Sequence, residues 1–297
     1  KGKGGGKVSK TAKTTIDLAD VFRAERRYPG FRSMSFAEAW EQDPELLPEK
    51  TLATIVAAFK AHALGRKMAT IISISAEEMP VTVAVPKLER FKAGVTDPLS
   101  LEEVELNPAT EEYTRKCDLN IPKSVIEDRR WVWLEKYLKR LGEWMGFEET
   151  QNLASILIAG AGNTQALGAD NHYQAAVKCI GLIEADELYP SLIAVNPSEA
   201  QDLALLATLI EPDRPSIEEG PKPFAYVRSV SVYGHAGIPA GTMLVLDSDW
   251  AAFIGERQPL QLENWKTPER GLVTASVRMR CDYKLGQPDA VGKVTGA

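Results

Sequence analysis

The sequence predicts an α+β protein built around one long helix and a protruding β-ribbon. Apolar residues recur at helical spacing across 122–160, the longest such run in the chain. β-Branched segments at 69–75 and 81–85 are answered by strands at 104–106 and 113–121, with polar, Pro- and Gly-broken sequence between them. The remainder alternates helical and strand patterns and ends on a long alternating strand at 271–285. Long helix, ribbon and mixed remainder together define the class.

Composition bounds the function. The chain has 297 residues, 44% hydrophobic and 26% charged, which is ordinary globular composition and excludes wholesale disorder. A chain of this length buries roughly 75% of its unfolded surface, in one or two domains. Net charge −6 argues against a protein whose main task is gripping duplex DNA. There is no apolar run of about 18 residues, so no membrane partner is expected. Cys117, Cys179 and Cys281 lie far apart with no CxxC, which reads as reduced thiols in a cytoplasmic compartment. There is no signal peptide, and a chain opening on Lys1 reads as processed or as part of a longer product.

The elements follow in order. Residues 1–13, KGKGGGKVSKTAK, carry five lysines and no acid, leaving −11 on the rest. That composition reads as a solvated tail, disordered unless a neighbouring subunit holds it. Ser35 is a candidate N-cap for a helix over FAEAWEQ, and 48–65 opens on Pro48 and closes on Gly65. The ribbon that follows has no core of its own and is marginal in isolation. The long helix opens on Pro122 and a Ser124-x-x-Glu127 capping box. Its apolar stripe runs through Trp131, Leu134, Leu138, Leu141 and Met145 to Leu153, Ile156 and Leu157, with Gly142 and Gly146 as a candidate bend or break. A helix is expected over 171–188, a strand over 191–196, and a second helix to about 209 capped by Asn196-Pro197-Ser198-Glu199. A Pro/Gly/charge-rich loop fills 211–223, and strands are expected at 225–233, 242–247, 251–254 and 259–263. Over 271–285, Val273, Ala275, Val277, Met279, Cys281, Tyr283 and Leu285 alternate with polar residues.

Catalytic signatures are sparse. His62, His172 and His235 form no HExxH and no i,i+4 pair, and neither GxSxG nor SxxK occurs. GKGGGK (2–7) lacks phosphate-loop spacing, and AGAGNTQALG (159–168) reads as a helix C-cap and turn. The adjacent acid pairs sit in polar stretches and read as solvated. LVLDSDW (244–250) could present Asp247 and Asp249 as in haloacid-dehalogenase phosphatases. However, Trp250-Ala251 breaks the pattern, and the 48 residues after Asp249 are too few for that site. Asp247 is expected to end a strand. No catalytic, cofactor or metal residue is nominated.

In combination the pieces resemble a tailed-virus major capsid protein of the Hong Kong 97 type. The resemblance covers about 65–297 and is carried by IPKSVIEDRRWVWLEKYL with its Gly-rich exit, LIAVNPSEAQDLALL (192–206), VSVYGHAGIPAGTMLVLDSDWAAFIGERQPLQLE (230–263) and RCDYKLGQPDAVGKV (280–294). It implies an N-terminal arm with short helices over 1–67, an E-loop β-ribbon over 68–117 and a P-domain spine helix over 118–162. An A domain over 163–263 and a returning P-domain strand with the C-terminal segment over 264–297 complete the layout. The implied function is a shell of pentamers and hexamers of this chain enclosing double-stranded DNA without sequence-specific binding, without cofactor or enzymatic activity. The shell would be assembled in the host cytoplasm, with decoration, portal, scaffold and head-protease proteins as possible partners.

The contacts expected between subunits are Lys1, Lys3, Lys7, Lys10 and Lys13 of the tail and Lys87, Arg90 and Lys92 of the ribbon. Asp213, Arg214, Glu218 and Glu219 of the axis loop complete the set. Some relatives cross-link an E-loop lysine to a P-domain asparagine. Lys87 and Lys92 could donate here, but no asparagine follows Asn264, so a non-covalent shell is expected. An encapsulin-type nanocompartment is the nearer alternative and an Asp-dependent phosphatase or hydrolase the distant one.

Overall fold

The computed structural model describes residues 15–75, 79–82, 103–106, 114–206, 208–209, 220–266 and 272–296. β1 (Thr15–Ile16) leads into α1 (Leu18–Arg27), where Asp17 and Asp20 each accept the other's backbone N–H. Ser35 and Glu38 make the same reciprocal cap on α2 (Phe36–Gln42), at the residues the sequence marks. A 3₁₀ turn at Pro44–Leu46 feeds α3 (Leu47–His62), and α4 (Gly65–Met68) is a separate short turn. Next come β2 (Thr70–Ser73), β3 (Met79–Thr82), β4 (Glu103–Leu106) and β5 (Thr114–Pro122). α5 (Lys123–Glu127) and α6 (Trp131–Gly160) follow, then β6 (Asn163–Ala166), α7 (His172–Ala185), β7 (Leu192–Val195) and α8 (Pro197–Leu206). The chain closes through β8 (Thr208–Leu209), β9 (Ala225–Val227), β10 (Val230–Gly234), β11 (Thr242–Leu246), β12 (Ala252–Lys266), β13 (Leu272–Leu285) and β14 (Val291–Thr295).

Two sheets organise these elements. A five-stranded sheet runs β1-β12-β13-β5, with β2 also paired to β12, and a seven-stranded sheet runs β6-β14-β11-β7-β10-β9-β8. β3 and β4 form the antiparallel ribbon, Met79 opposite Leu106 and Thr82 opposite Glu103. One apolar core extends from Val21 and Phe31 through Leu134, Leu138 and Leu153 to Ile193 and Val245. α6 lies along that core and α3 crosses it.

The long helix differs from the sequence reading at its start. Ser124 lies inside α5, whose N-cap Pro122 makes no side-chain cap bond, so no capping box forms. Arg129 takes a left-handed backbone (φ 54°), which ends α5, and α6 begins afresh at Trp131. Its 30 residues span about 45 Å at ~1.5 Å each. The helix runs unbroken through Gly142 and Gly146, which are where α3 crosses. A Cβ on Gly142 would sit 2.5 Å from the Ile55 carbonyl oxygen, and one on Gly146 2.9 Å from Ala63 N.

Further differences have local causes. The two strands expected at 251–254 and 259–263 are one strand, β12. Its pairing with β13 slips between Glu256 and Gln258 and again between Gln258 and Gln261, around Pro259, which has no N–H to give the ladder. The strand expected over 225–233 is a hairpin, turned at Arg228 and Ser229, both with positive φ (47° and 72°). Residues 159–168 end α6 as expected but then form β6, parallel to β14, rather than a plain turn. That places β14 inside the seven-stranded sheet, whereas β12 belongs to the five-stranded one. The alternation of β13 holds on its apolar face, but Ser276 and Asp282 of the other face are also buried.

Candidate assembly surfaces

The ribbon is rooted on β12. β2 runs parallel to it, Thr70 beside Phe253 and Ser73 beside Glu256, and Ile74 N donates to the Glu256 carbonyl at 2.9 Å. Ile74, Leu106 and Phe253 form a small apolar cluster apart from the main core. Gly255 makes room for it, since a Cβ there would lie 2.5 Å from Ile74 Cδ1. Each of these side chains contributes about 1.5–3 kcal/mol by burial. That anchors the base of the ribbon.

Beneath the root lies a buried charge cluster. Arg66 of α4 gives Nε to Glu149 at 3.2 Å and Nη2 to Glu256 at 3.0 Å, and the Tyr283 hydroxyl donates to Glu149 at 3.2 Å. Burial pushes the Glu149 carboxyl up, opposed by Arg66 and by the hydrogen bond from Tyr283. Burial also works against the charge of Arg66, but Glu149 and Glu256 overcome it and raise its pKa. The cluster ties α4, α6, β12 and β13 together. Burial, then Glu149, push the neighbouring Cys281 thiol up to about 12, which keeps it a protonated core residue rather than a nucleophile.

The other candidates resolve as structural. Asp247 follows β11 and accepts from Tyr189 N at 3.0 Å and Asp249 N at 3.2 Å, so its carboxylate caps the strand end. Burial raises its pKa. His235 joins three elements: its Nε2 meets the His62 carbonyl of α3 at 2.9 Å, its Nδ1 accepts Gly237 N–H at 3.0 Å, and Phe147 of α6 stacks on the ring at 5.9 Å. Because Nδ1 accepts, Nε2 carries the proton. Among the described residues no cluster of His, Cys, Asp and Glu could hold a metal, and no helix is long and apolar enough to cross a membrane.

The outer face of α6 carries large apolar side chains among its charged ones. Val132 is 69% exposed, Trp133 48% and Trp144 53%, and Trp133 stacks on Tyr137 at 5.4 Å. The sequence signal of this second stripe is the helical spacing of Trp133, Tyr137 and Trp144, which the stronger buried stripe masks. At Trp144 a groove of about 240 Å³ opens between α6 and the β5 side of the sheet, with Cys117, Met145, Glu148 and Met279 in its walls. The expected contact residues Lys1, Lys3, Lys7, Lys10, Lys13, Lys87, Arg90, Lys92, Asp213, Arg214, Glu218 and Glu219 all lie outside the described residues.

No protein-family profile matches the sequence, and no curated protein matches it. Solved structures do match. A virus-like particle from Pyrococcus furiosus is similar with a TM-score of 0.58 at 12% identity, over 83% of this chain and 98% of that one. The capsid of an empty GTA particle gives 0.56 at 13%, over 80% and 90%. The capsid of cyanophage P-SCSP1u gives 0.56 at 13%, over 80% and 89%. At such identities the likeness is one of fold. The chain has the Hong Kong 97-like fold of capsid shell proteins, as its residues led us to expect.

Proposed function

We propose that this chain is the major capsid protein of a tailed virus, assembling as pentamers and hexamers into an icosahedral shell around double-stranded DNA. One observation supports this beyond the fold: the chain exposes what a lone globular protein would cover. Among the described residues Ile74, Leu106 and Phe253 pack at the base of its ribbon, while Trp133 and Trp144 stand half in solvent. In a closed symmetric assembly each such weak contact is repeated many times. The net charge of −6 suits a wall that does not grip its contents.

In this reading the tail lysines, Lys87, Arg90 and Lys92 of the ribbon, and Asp213, Arg214, Glu218 and Glu219 of the axis loop meet neighbouring copies. The chain has no enzymatic role, its shell is assembled in the host cytoplasm, and portal, scaffold, protease and decoration proteins complete the virion. The likeness to the Pyrococcus furiosus virus-like particle favours a second reading, a compartment without a genome. Sedimentation of the purified protein, with nucleic acid extracted from the particle fraction, tests both. Large particles carrying nuclease-protected DNA support the virion, and large particles carrying only protein cargo support the compartment. A stable monomer or dimer at micromolar concentration contradicts the two together.

A further inference from the structure

We propose that the outer face of α6 binds single-stranded nucleic acid, holding phosphates on its basic side chains and stacking unpaired bases on its aromatic rings. The face is complete within one chain, so the inference goes beyond the shell reading and stands without it. Its sequence is RRWVWLEKYLKR over 129–140, where Arg129, Arg130, Lys136, Lys139 and Arg140 oppose the single acid Glu135. A chain of net charge −6 thus carries +4 within twelve residues, interleaved with Trp133 and Tyr137. That interleaving of cations and rings is what a strand with unpaired bases requires.

The helix sets these side chains in a line. At ~100° per residue, Trp133, Tyr137, Arg140 and Trp144 fall within an arc of about 60°, with Lys136 on its flank. From Trp133 to Trp144 the line runs about 16 Å at ~1.5 Å per residue. Trp133 and Tyr137 lie parallel, with 3° between the ring planes and 5.4 Å between centroids, and both are exposed. An unpaired base extends such a stack by one more ring. The acids beside the line are already engaged: Glu135 holds Lys139 at 2.8 Å, Asp128 holds Arg130 at 3.1 Å and Glu143 holds Arg140 at 3.0 Å. Arg129 and Lys136 are exposed and have no acidic partner among the described residues, which leaves two cations for phosphates. Glu148, in the wall of the groove beyond Trp144, ends the track.

Other occupants fit this face less well. Two copies of it set against each other would oppose +4 to +4. A membrane needs a continuous apolar strip, and Arg140 interrupts this one between Tyr137 and Trp144. A duplex keeps its bases stacked on one another and offers the face only phosphates, so it binds more weakly. That agrees with a wall that does not grip packed duplex DNA.

Fluorescence anisotropy of a labelled oligodeoxythymidylate tests this, titrated at several salt concentrations with the subunit and particle fractions of the purified protein. Trp133→Ala should weaken binding about 5- to 150-fold, the range for loss of one base stack, and Trp133→Phe should keep most of the affinity. Arg129→Gln and Lys136→Gln together should flatten the slope of log K against log salt by about 1.4, at ~0.7 per phosphate of a single strand. Both of these residues are exposed, so this variant keeps the test if Trp133→Ala does not fold. The matched duplex should bind more weakly and lose little affinity in Trp133→Ala. Equal or tighter binding of the duplex, of polyglutamate of the same charge or of phosphatidylserine vesicles overturns the proposal. Binding that survives all these substitutions also overturns it, by placing the contact elsewhere in the chain, as does absence of binding in both fractions. Sedimentation reads assembly separately: particles without this binding leave the shell reading intact, and binding without particles leaves this proposal intact.

Discussion

Gly142 and Gly181 both sit inside helices, and they should respond oppositely to alanine. Alanine is the better helix former by about 1 kcal/mol. At Gly181 of α7 an added Cβ meets nothing within 4 Å, so Gly181→Ala should stabilise the protein by about 0.5–1 kcal/mol. At Gly142 the same Cβ would press on the Ile55 carbonyl oxygen at 2.5 Å and on Ala58 Cβ at 2.8 Å. Backbone cannot swing aside as a flexible side chain can, so Gly142→Ala should cost about 1–3 kcal/mol through displacement of α3. Denaturant unfolding of the two variants checks both signs. The sequence shows two glycines in a helix, but not that α3, more than 80 residues earlier, passes over them. Contacts of that range are what a single sequence conceals, and the break that Gly142 and Gly146 could mark is absent. The left-handed Arg129 is similar, since its neighbours read as good helix.

At the scale of elements, the joint between α3, α6 and the loop before β11 depends on one imidazole. Burial lowers the His235 pKa, the hydrogen bond to the His62 carbonyl opposes that, and the charge of His62 adds to it. From α6 the facing groups are Phe147 and, through His62 at 3.9 Å, Glu143. A histidine with a folded pKa below its unfolded value binds protons more readily when unfolded. Its contribution is therefore complete above the ordinary value of about 6.5 and is lost as pH falls through that value towards the folded pKa. Protonation at Nδ1 would also displace the Gly237 N–H. Thermal unfolding at pH 7.5 and 5.5 should show a fall on acidification that is smaller in His235→Gln, whereas an equal fall in both would refute the assignment.

The ribbon root offers a second test at this scale. Leu106→Ala removes a fully buried side chain from a cluster of three and should cost about 2–5 kcal/mol locally. Hydrogen exchange should rise across β3 and β4 but not across β7 or β11, since the main core is separate. Element existence was largely legible: caps at Ser35 and Asn196, and alternation along β13, are local signals. Element continuity was not. The gap expected between the strands at 251–254 and 259–263 is absent, since a bulge lets β12 run past Pro259 while the paired β13 holds both sides of the slip.

For the whole molecule, the fold was legible from the order of the pieces and the function followed as an implication of that order. The expected contact residues fall in the tail, the ribbon and the loop at 211–223, where polar sequence has no core to join. The structure adds surfaces that such reasoning passes over: the Trp133 and Tyr137 stack on the outer side of α6, and an edge of β5 that no strand among the described residues pairs. In the proposed shell, copies of the chain or its contents cover these surfaces. Cryo-electron microscopy of the purified protein tests that claim most directly. The account predicts hollow closed particles with five-fold and six-fold clusters of subunits, density covering the outer face of α6 and the β5 edge, and complete dissociation to a single monomer band on boiling in detergent. A field of dispersed monomers or dimers, with Trp133, Trp144 and the β5 edge free in solution, would contradict it.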